Sequence, residues 1–575
     1  MLKVMKILLV LLIVLNILTI PVFSAEKELD DELSGMVNEL IEDGKAKGAV
    51  LSIIEDDKII LNRGFGYADE YNNIAADGEY TAFRIGSVSK TFVAVAAQIL
   101  NQEGKLDMNT DISVYLEPDF PKLDFPVTMQ QLLTHTAGFE ELLTGIAVIN
   151  VSDTEPLSES VRKYMPAQVY TPGEISSYSN YGIALAAYVI ESITEVDFSK
   201  FCMERIFLPL EMNNTTYEYM HDVTYVSKAY LPDGNETIDP YINLYPEGSA
   251  VSTANDMAKY MMWLLDNEDD RVLTKEYKKE LFVEQFSMSE DLEGGGYVWN
   301  RKERNNKIYY DKKGETQHFY TRIALYPEAD TGIFLSFNTY IPENEINAIM
   351  KKATDLLYGE YRENNTDSFK NKINIEGIYV NNWSSFKTQE RILSYIIPGK
   401  IIKVSGSKGE FLLNGEKMNL IGDDMYSSPM GKLQFVERNG KLFIATESAV
   451  TYTRIHFWQN KTIQLFIPLI FAALSLVSFI KGIKIKRAVY IFVPLIQIIA
   501  LAGIYFFLYR GIINYSILKY SFLIMVCGWL IAISGAAGIM NTLLKKKNDK
   551  TDIIDYGWNF ANLMFTIWLF TFNII

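Results

Sequence analysis

Cysteine is nearly absent, with two in 575 residues: Cys202 in a helix-like stretch and Cys527 in a long apolar run. A bridge between them would have to join the body of the chain to a membrane segment, so no disulfide is expected. Histidine is equally sparse, and His135, His221, His318 and His456 are too scattered for zinc. No metal and no cofactor is expected. Positive charge is also short, with 54 Lys and Arg against 71 Asp and Glu, a net −17 that argues against a nucleic-acid partner. Apolar residues are not lacking: at 49% hydrophobic and 22% charged the chain is too apolar for disorder.

The charge that is present is unevenly placed. Residues 461–575 carry 11 Lys and Arg against three Asp and Glu, so an acidic body precedes a basic, apolar tail. At the start, Lys3 and Lys6 precede the apolar run Ile7–Phe23, the layout of a signal peptide over 1–25. Cleavage after Ser24 or Ala25, or retention as an anchor helix, are both open, and either exports the body. In the tail, apolar stretches at 463–480, 488–508, 517–540 and 556–575 each approach the length of a membrane span. The lysines of loops 481–487 and 545–550 place those loops in the cytoplasm, so the body lies outside a multi-pass cell-membrane protein. Residues 26–358 form the main domain and the polar stretch 359–372 reads as a linker. From 373 to 455, short runs such as Lys400–Val404, Glu410–Leu413, Lys432–Val436 and Lys441–Ala445 alternate with turn residues, predicting a small β-barrel or sandwich.

Three motifs carry chemistry. Within Phe83–Phe92, Ser87 opens a helical pattern continued by Val88, Phe92, Val95, Ala96 and Ile99. Ser87 and Lys90 are i and i+3 on that helix, so an amine can reach a hydroxyl, the geometry of a nucleophile and its base. Alone, Ser-x-x-Lys reads better as a capped helix with a solvated lysine. The second motif is Ser177-Tyr178-Ser179-Asn180, where a tyrosinate would need a cation such as Lys90, and Asn180 offers both donor and acceptor to an amide. The third lies in Ile308–Thr316, a probable edge strand whose alternation puts Lys312 and Gly314 on one face and Lys313 on the other. Gly314 permits close approach, and the Glu315 and Ser87 amides would form an oxyanion hole. The register could instead favour Lys313.

In this order and spacing the motifs resemble the class C branch of the serine β-lactamase and penicillin-binding-protein superfamily. Leu132–Phe139, with its Leu-Leu-Thr-His-Thr-Ala-Gly run, Pro209–Met212 and Gly248–Met257 are similar to further hallmarks of that branch, and the resemblance spans about 30–357. It implies an α+β catalytic domain, an antiparallel sheet flanked by helices; the strand runs after it read as a small lipocalin-like β-barrel or sandwich domain, and the apolar stretches as a transmembrane bundle. It also implies that Ser87 forms an acyl-enzyme while Lys90 and Tyr178 shuttle the proton, with Asn180, Lys312, Gly314 and Glu315 around the substrate. Lys312 should depress the pKa of Lys90, and His135 looks like a turn residue rather than a base.

One departure concerns the third motif, where Glu315 and then Gln317-His318 replace the residues common in the family. A carboxylate there would repel substrates bearing a carboxylate and favour an amine or an uncharged group. The expected activity is therefore hydrolysis of an amide or ester outside the cell. Its substrate would be a D-amino-acid peptide, a peptidoglycan-derived peptide, a natural-product precursor or an ester. The membrane bilayer is the other expected partner. The rival readings are a penicillin-binding-like sensor and a non-catalytic cell-envelope binding protein.

Overall fold

The computed structural model describes residues 27–218, 226–360, 369–407, 410–544 and 553–575. The expected signal peptide, most of the linker and the second lysine-rich loop lie outside these residues.

Strand Gly48–Glu55 (Gly-Ala-Val-Leu-Ser-Ile-Ile-Glu) shows why a sheet forms here: it is apolar on both faces and buried along nearly its whole length. Its alternation serves two layers. Ala49, Leu51 and Ile53 pack with Leu33 and Val37 of a helix over residues 27–42 and with Ile346 and Ile349 of helix Glu343–Tyr358. Val50 and Ile54 join the larger core on the other face, which holds helices Lys90–Gln102, Asn180–Thr194 and Ala254–Leu265. The seven-stranded sheet runs Asn300–Arg304, Lys307–Glu315, Tyr320–Tyr326, Thr331–Phe337, Gly48–Glu55, Lys58–Asp69 and Ile74–Ala75.

Two details of that sheet position the site. Lys307–Glu315 is not a full edge strand, because Asn300–Arg304 pairs with residues 307–311; only 312–315 are left without a strand on that side. That free half lies against the turn Gly86–Ser89, so closely that a Cβ on Gly314 would fall 1.9 Å from the Ile85 carbonyl oxygen. The expected helix starts one turn late: Ser87 occupies a 3-10 turn and the α-helix begins at Lys90.

The second domain is a closed eight-stranded barrel running from Gly377–Asn381 to Tyr452–Ile455, which pair with each other to close it. Tyr379, Val404, Phe411, Tyr426, Leu433, Phe435 and Ile444 fill its interior. It packs on the catalytic domain through Met425, Phe443 and Ala445 against Ile175, Met288 and Leu292.

Three helices, Lys461–Ile485, Ala488–Ile513 and Ile517–Leu543, are long and apolar enough to cross a membrane. Sequence reading gave four. Ile553–Thr571 is helical and packs among them through Ala561, Phe565, Trp568 and Leu569, but it is not among the described helices that meet that length and hydropathy. Its Asp555, Asn559 and Asn562 reduce its apolar character. Among the described residues both cysteines are free thiols.

Candidate active site

Ser87 sits where the helix core meets the free half of the sheet edge. Gly86 precedes it at φ +51°, and a Cβ there would lie 2.5 Å from the Glu315 backbone nitrogen, so glycine is required to bring the turn against the strand. Ser87 Oγ is 2.8 Å from Lys90 Nζ and 2.9 Å from Tyr178 Oη. The Thr316 amide donates to the Phe319 carbonyl. Antiparallel alternation then turns the Glu315 amide away from the neighbouring strand and toward the Gly86–Ser87 turn. A hydroxyl, an amine, a phenol and a free backbone amide therefore share one point, an arrangement able to serve as nucleophile, proton-handling groups and oxyanion donor. Gly314→Ala should force strand and turn apart, lowering kcat by about 10²–10³ with a smaller change in KM, as steady-state kinetics would show.

Lys90 is fully buried and its three protons have three acceptors. Besides Ser87, it donates to the Glu247 carbonyl at 2.5 Å and to Glu247 Oε2 at 2.7 Å. Burial alone would drive its pKa down, but Glu247 and Tyr178 outweigh burial and hold it above that of a free lysine. This corrects the expectation of a depressed Lys90, which took account of Lys312 but not of Glu247. The depressed lysine is Lys312, brought to about 7 by burial and the Lys90 charge. Below that pH Lys312 is a cation and above it neutral. KM for a carboxylate-bearing substrate should accordingly rise as pH passes upward through 7, while a neutral substrate shows no such rise; Lys312→Met should abolish the dependence.

Tyr178 is held between aromatic neighbours. His135 stacks on it at 4.2 Å between centroids and Trp383, from the barrel domain, meets it edge-on at 5.1 Å. Burial raises the phenol pKa, while Lys90 and the Ser87 hydrogen bond pull it back without cancelling that rise. His135 adopts φ +58°, and its Nδ1 accepts the Ser179 amide at 3.2 Å. Burial and the two lysines keep its imidazole well below its ordinary pKa, so it remains neutral. It positions Tyr178 and does not touch Ser87 in any hydrogen bond of the described residues.

Asn180 is anchored by Glu141. Its Nδ2 donates to Glu141 Oε1 at 2.8 Å and its backbone amide to Glu141 Oε2 at 3.1 Å, leaving Oδ1 buried without a protein partner at the cleft wall. Asn180 thus turns its Oδ1 acceptor toward the cleft, while one of its two Nδ2 protons is held by Glu141. Glu315 is half exposed, and Arg322 stands 3.4 Å from its carboxylate. That guanidinium offsets part of the repulsion toward anions expected from sequence. Of the two lysines, it is the buried Lys312 that meets the Ser87 cluster, its ammonium 5.5 Å from the Tyr178 ring, whereas Lys313 pairs with Glu343.

The cleft, about 1110 Å³, is walled by all three parts of the chain, including Trp383 and Lys432 of the barrel and Tyr515 between the second and third apolar helices. Sequence reasoning missed Glu247, Glu141, Trp383 and Tyr515. Glu247 alone carried a signal, as a carboxylate next to the Gly248–Met257 hallmark.

Comparison with known proteins agrees with this geometry. The Beta-lactamase family model matches residues 33–353. Protein flp of Staphylococcus aureus (strain N315) is 24% identical over 327 residues, covering 54% of this chain and 64% of flp. The chain spans about half to two thirds of the length of the curated relatives it matches. The octameric penicillin-binding protein homologue from Pyrococcus abyssi shares the fold at TM-score 0.51 and 21% identity, over 74% of this chain and 99% of that one. SurE with D-Leu does so at TM-score 0.53 and 18% identity, over 75% and 100%. With its motif residues gathered at Ser87 and more than half its length matched, the chain belongs to the Beta-lactamase family of serine hydrolases.

Proposed function

We propose that this protein is a membrane-anchored serine hydrolase that cleaves an amide or ester on the outer face of the membrane through an acyl-enzyme on Ser87. One observation carries the reading: Ser87 Oγ lies within 3 Å of both Lys90 Nζ and Tyr178 Oη. As Oγ bonds to the substrate carbonyl carbon, its proton passes to Lys90 Nζ while Lys90 gives one of its own to Glu247 Oε2. The Ser87 and Glu315 amides hold the oxyanion. Tyr178 protonates the leaving nitrogen or oxygen and is reprotonated from Glu247 through Lys90. Water then enters by the same steps reversed and frees the acyl group.

A peptidase acting on D-amino-acid peptides is the preferred form of this activity. The Asn180 Oδ1 acceptor suits a substrate N–H on the acyl side, and SurE, solved with D-Leu, supplies the analogy. Turnover of matched D- and L-amino-acid amides and esters by detergent-solubilised protein tests it. Faster cleavage of the D-amides, absent in Ser87→Ala, is expected; preference for esters or L-substrates would replace peptidase with esterase or L-peptidase.

A further inference from the structure

The membrane helices do more than end the chain, because the connection between the second and third of them forms part of the cleft. Tyr515 in that connection lines the cavity, and its hydroxyl donates to Gln317 Oε1 at 3.0 Å, two residues beyond Glu315. Tyr515 sits at φ +49°, a left-handed conformation that costs a bulky residue of order 1 kcal/mol or more and needs support from its surroundings. That support is visible: the Gly145 amide donates to the Tyr515 carbonyl at 3.2 Å, and the Leu518 amide donates to Thr144 Oγ1 at 3.1 Å. Leu143 packs directly with the membrane-helix cluster.

The segment tied down in this way continues as the cleft wall. Ala147–Val148 pairs with Tyr241–Ile242 in a short ribbon whose root supplies Ile146, Ala147, Pro240 and Ile242 to the cavity lining. Beyond the paired residues it exposes Ile149, Val151 and Ile238, the last 70% accessible. Apolar lining from Ile146, Ala147, Pro240 and Ile242 thus shares one cavity with Ser87, Lys312 and Glu315 and adjoins the Tyr515 connection between the apolar helices. Exposed aliphatics on a segment tied to the connection between two apolar helices suit a surface that meets lipid or a lipid-like chain.

From this continuity we infer that the substrate is membrane-borne: an amphiphile whose amide or ester reaches Ser87 while its hydrocarbon chain lies along Ile146, Ile242 and Tyr515 into the bilayer. The inference rests on the hydrolase reading above and adds the substrate class. It makes Tyr515 a substrate-binding residue contributed by the membrane part of the chain. Apolar burial grows with every methylene, so chain length should be strongly felt.

The test uses full-length protein in lipid nanodiscs and two fluorophosphonates, one with an ethyl and one with a hexadecyl chain, comparing their rates of labelling at Ser87. Partition into the bilayer raises every hexadecyl rate alike, so the informative quantity is the hexadecyl-to-ethyl ratio across variants. Tyr515→Ala and Ile242→Ser are each expected to lower that ratio at least fivefold relative to wild type. Ile533→Ala, on the exposed face of the third apolar helix, should leave it unchanged. Ethyl labelling in every variant shows that the site is folded. A ratio identical in wild type, Tyr515→Ala and Ile242→Ser overturns the inference and leaves the hydrolase reading standing; failure of both probes to label Ser87 in wild type overturns both.

Discussion

Ser87→Ala is expected to lower kcat/KM at least about 10⁴-fold while the melting temperature stays close to wild type. The loss follows from removing the atom that bonds to the substrate, since the remaining groups can only orient water. The small change in stability follows from where the side chain sits. Its hydroxyl contacts Lys90 and Tyr178, and Lys90 keeps two Glu247 acceptors when the serine oxygen is gone. Kinetics and differential scanning fluorimetry on the same preparation would check both halves.

Lys90→Ala should fail in a different way. Activity is expected to fall about 10³–10⁴-fold, and stability should fall with it by about 3–5 kcal/mol, because the substitution strands the buried Glu247 carboxylate without its cation. The Glu247 side chain is 6% exposed, so water cannot take over. The double variant Lys90→Ala/Glu247→Gln removes the stranded charge. It should recover most of the melting temperature and none of the activity, which separates the structural part of the pair from its part in proton transfer. Glu247→Gln alone should shift the descending alkaline limb of the pH–rate profile to lower pH, since the carboxylate that holds the Lys90 proton is gone.

The parts of the site that could be read from sequence are those set by local geometry. Ser87 and Lys90 share a helix turn, Tyr178 and Asn180 sit together at a helix start, and strand alternation puts Lys312 and Gly314 on one face. The barrel and the helical tail were legible for the same reason, as periods of two and long apolar runs. The fourth apolar stretch is also a helix packed among the other three, less apolar than they are because of Asp555, Asn559 and Asn562.

What stayed hidden was brought by docking distant segments. Glu247 approaches Lys90 across 157 positions of chain, Trp383 comes from another domain, and Tyr515 from a loop between apolar helices. No local pattern marks such residues. The distant Glu247 is why Lys90 is expected from sequence below a free lysine's pKa and is found above it.

The central claim is that Ser87 is an activated nucleophile, and peptide mass spectrometry after treatment of the membrane-embedded protein with a fluorophosphonate tests it most directly. The account predicts one adduct, on the peptide containing Ser87, absent from Ser87→Ala and sharply reduced in Lys90→Ala. Folded protein with no adduct, or an adduct that persists in Ser87→Ala, would contradict it.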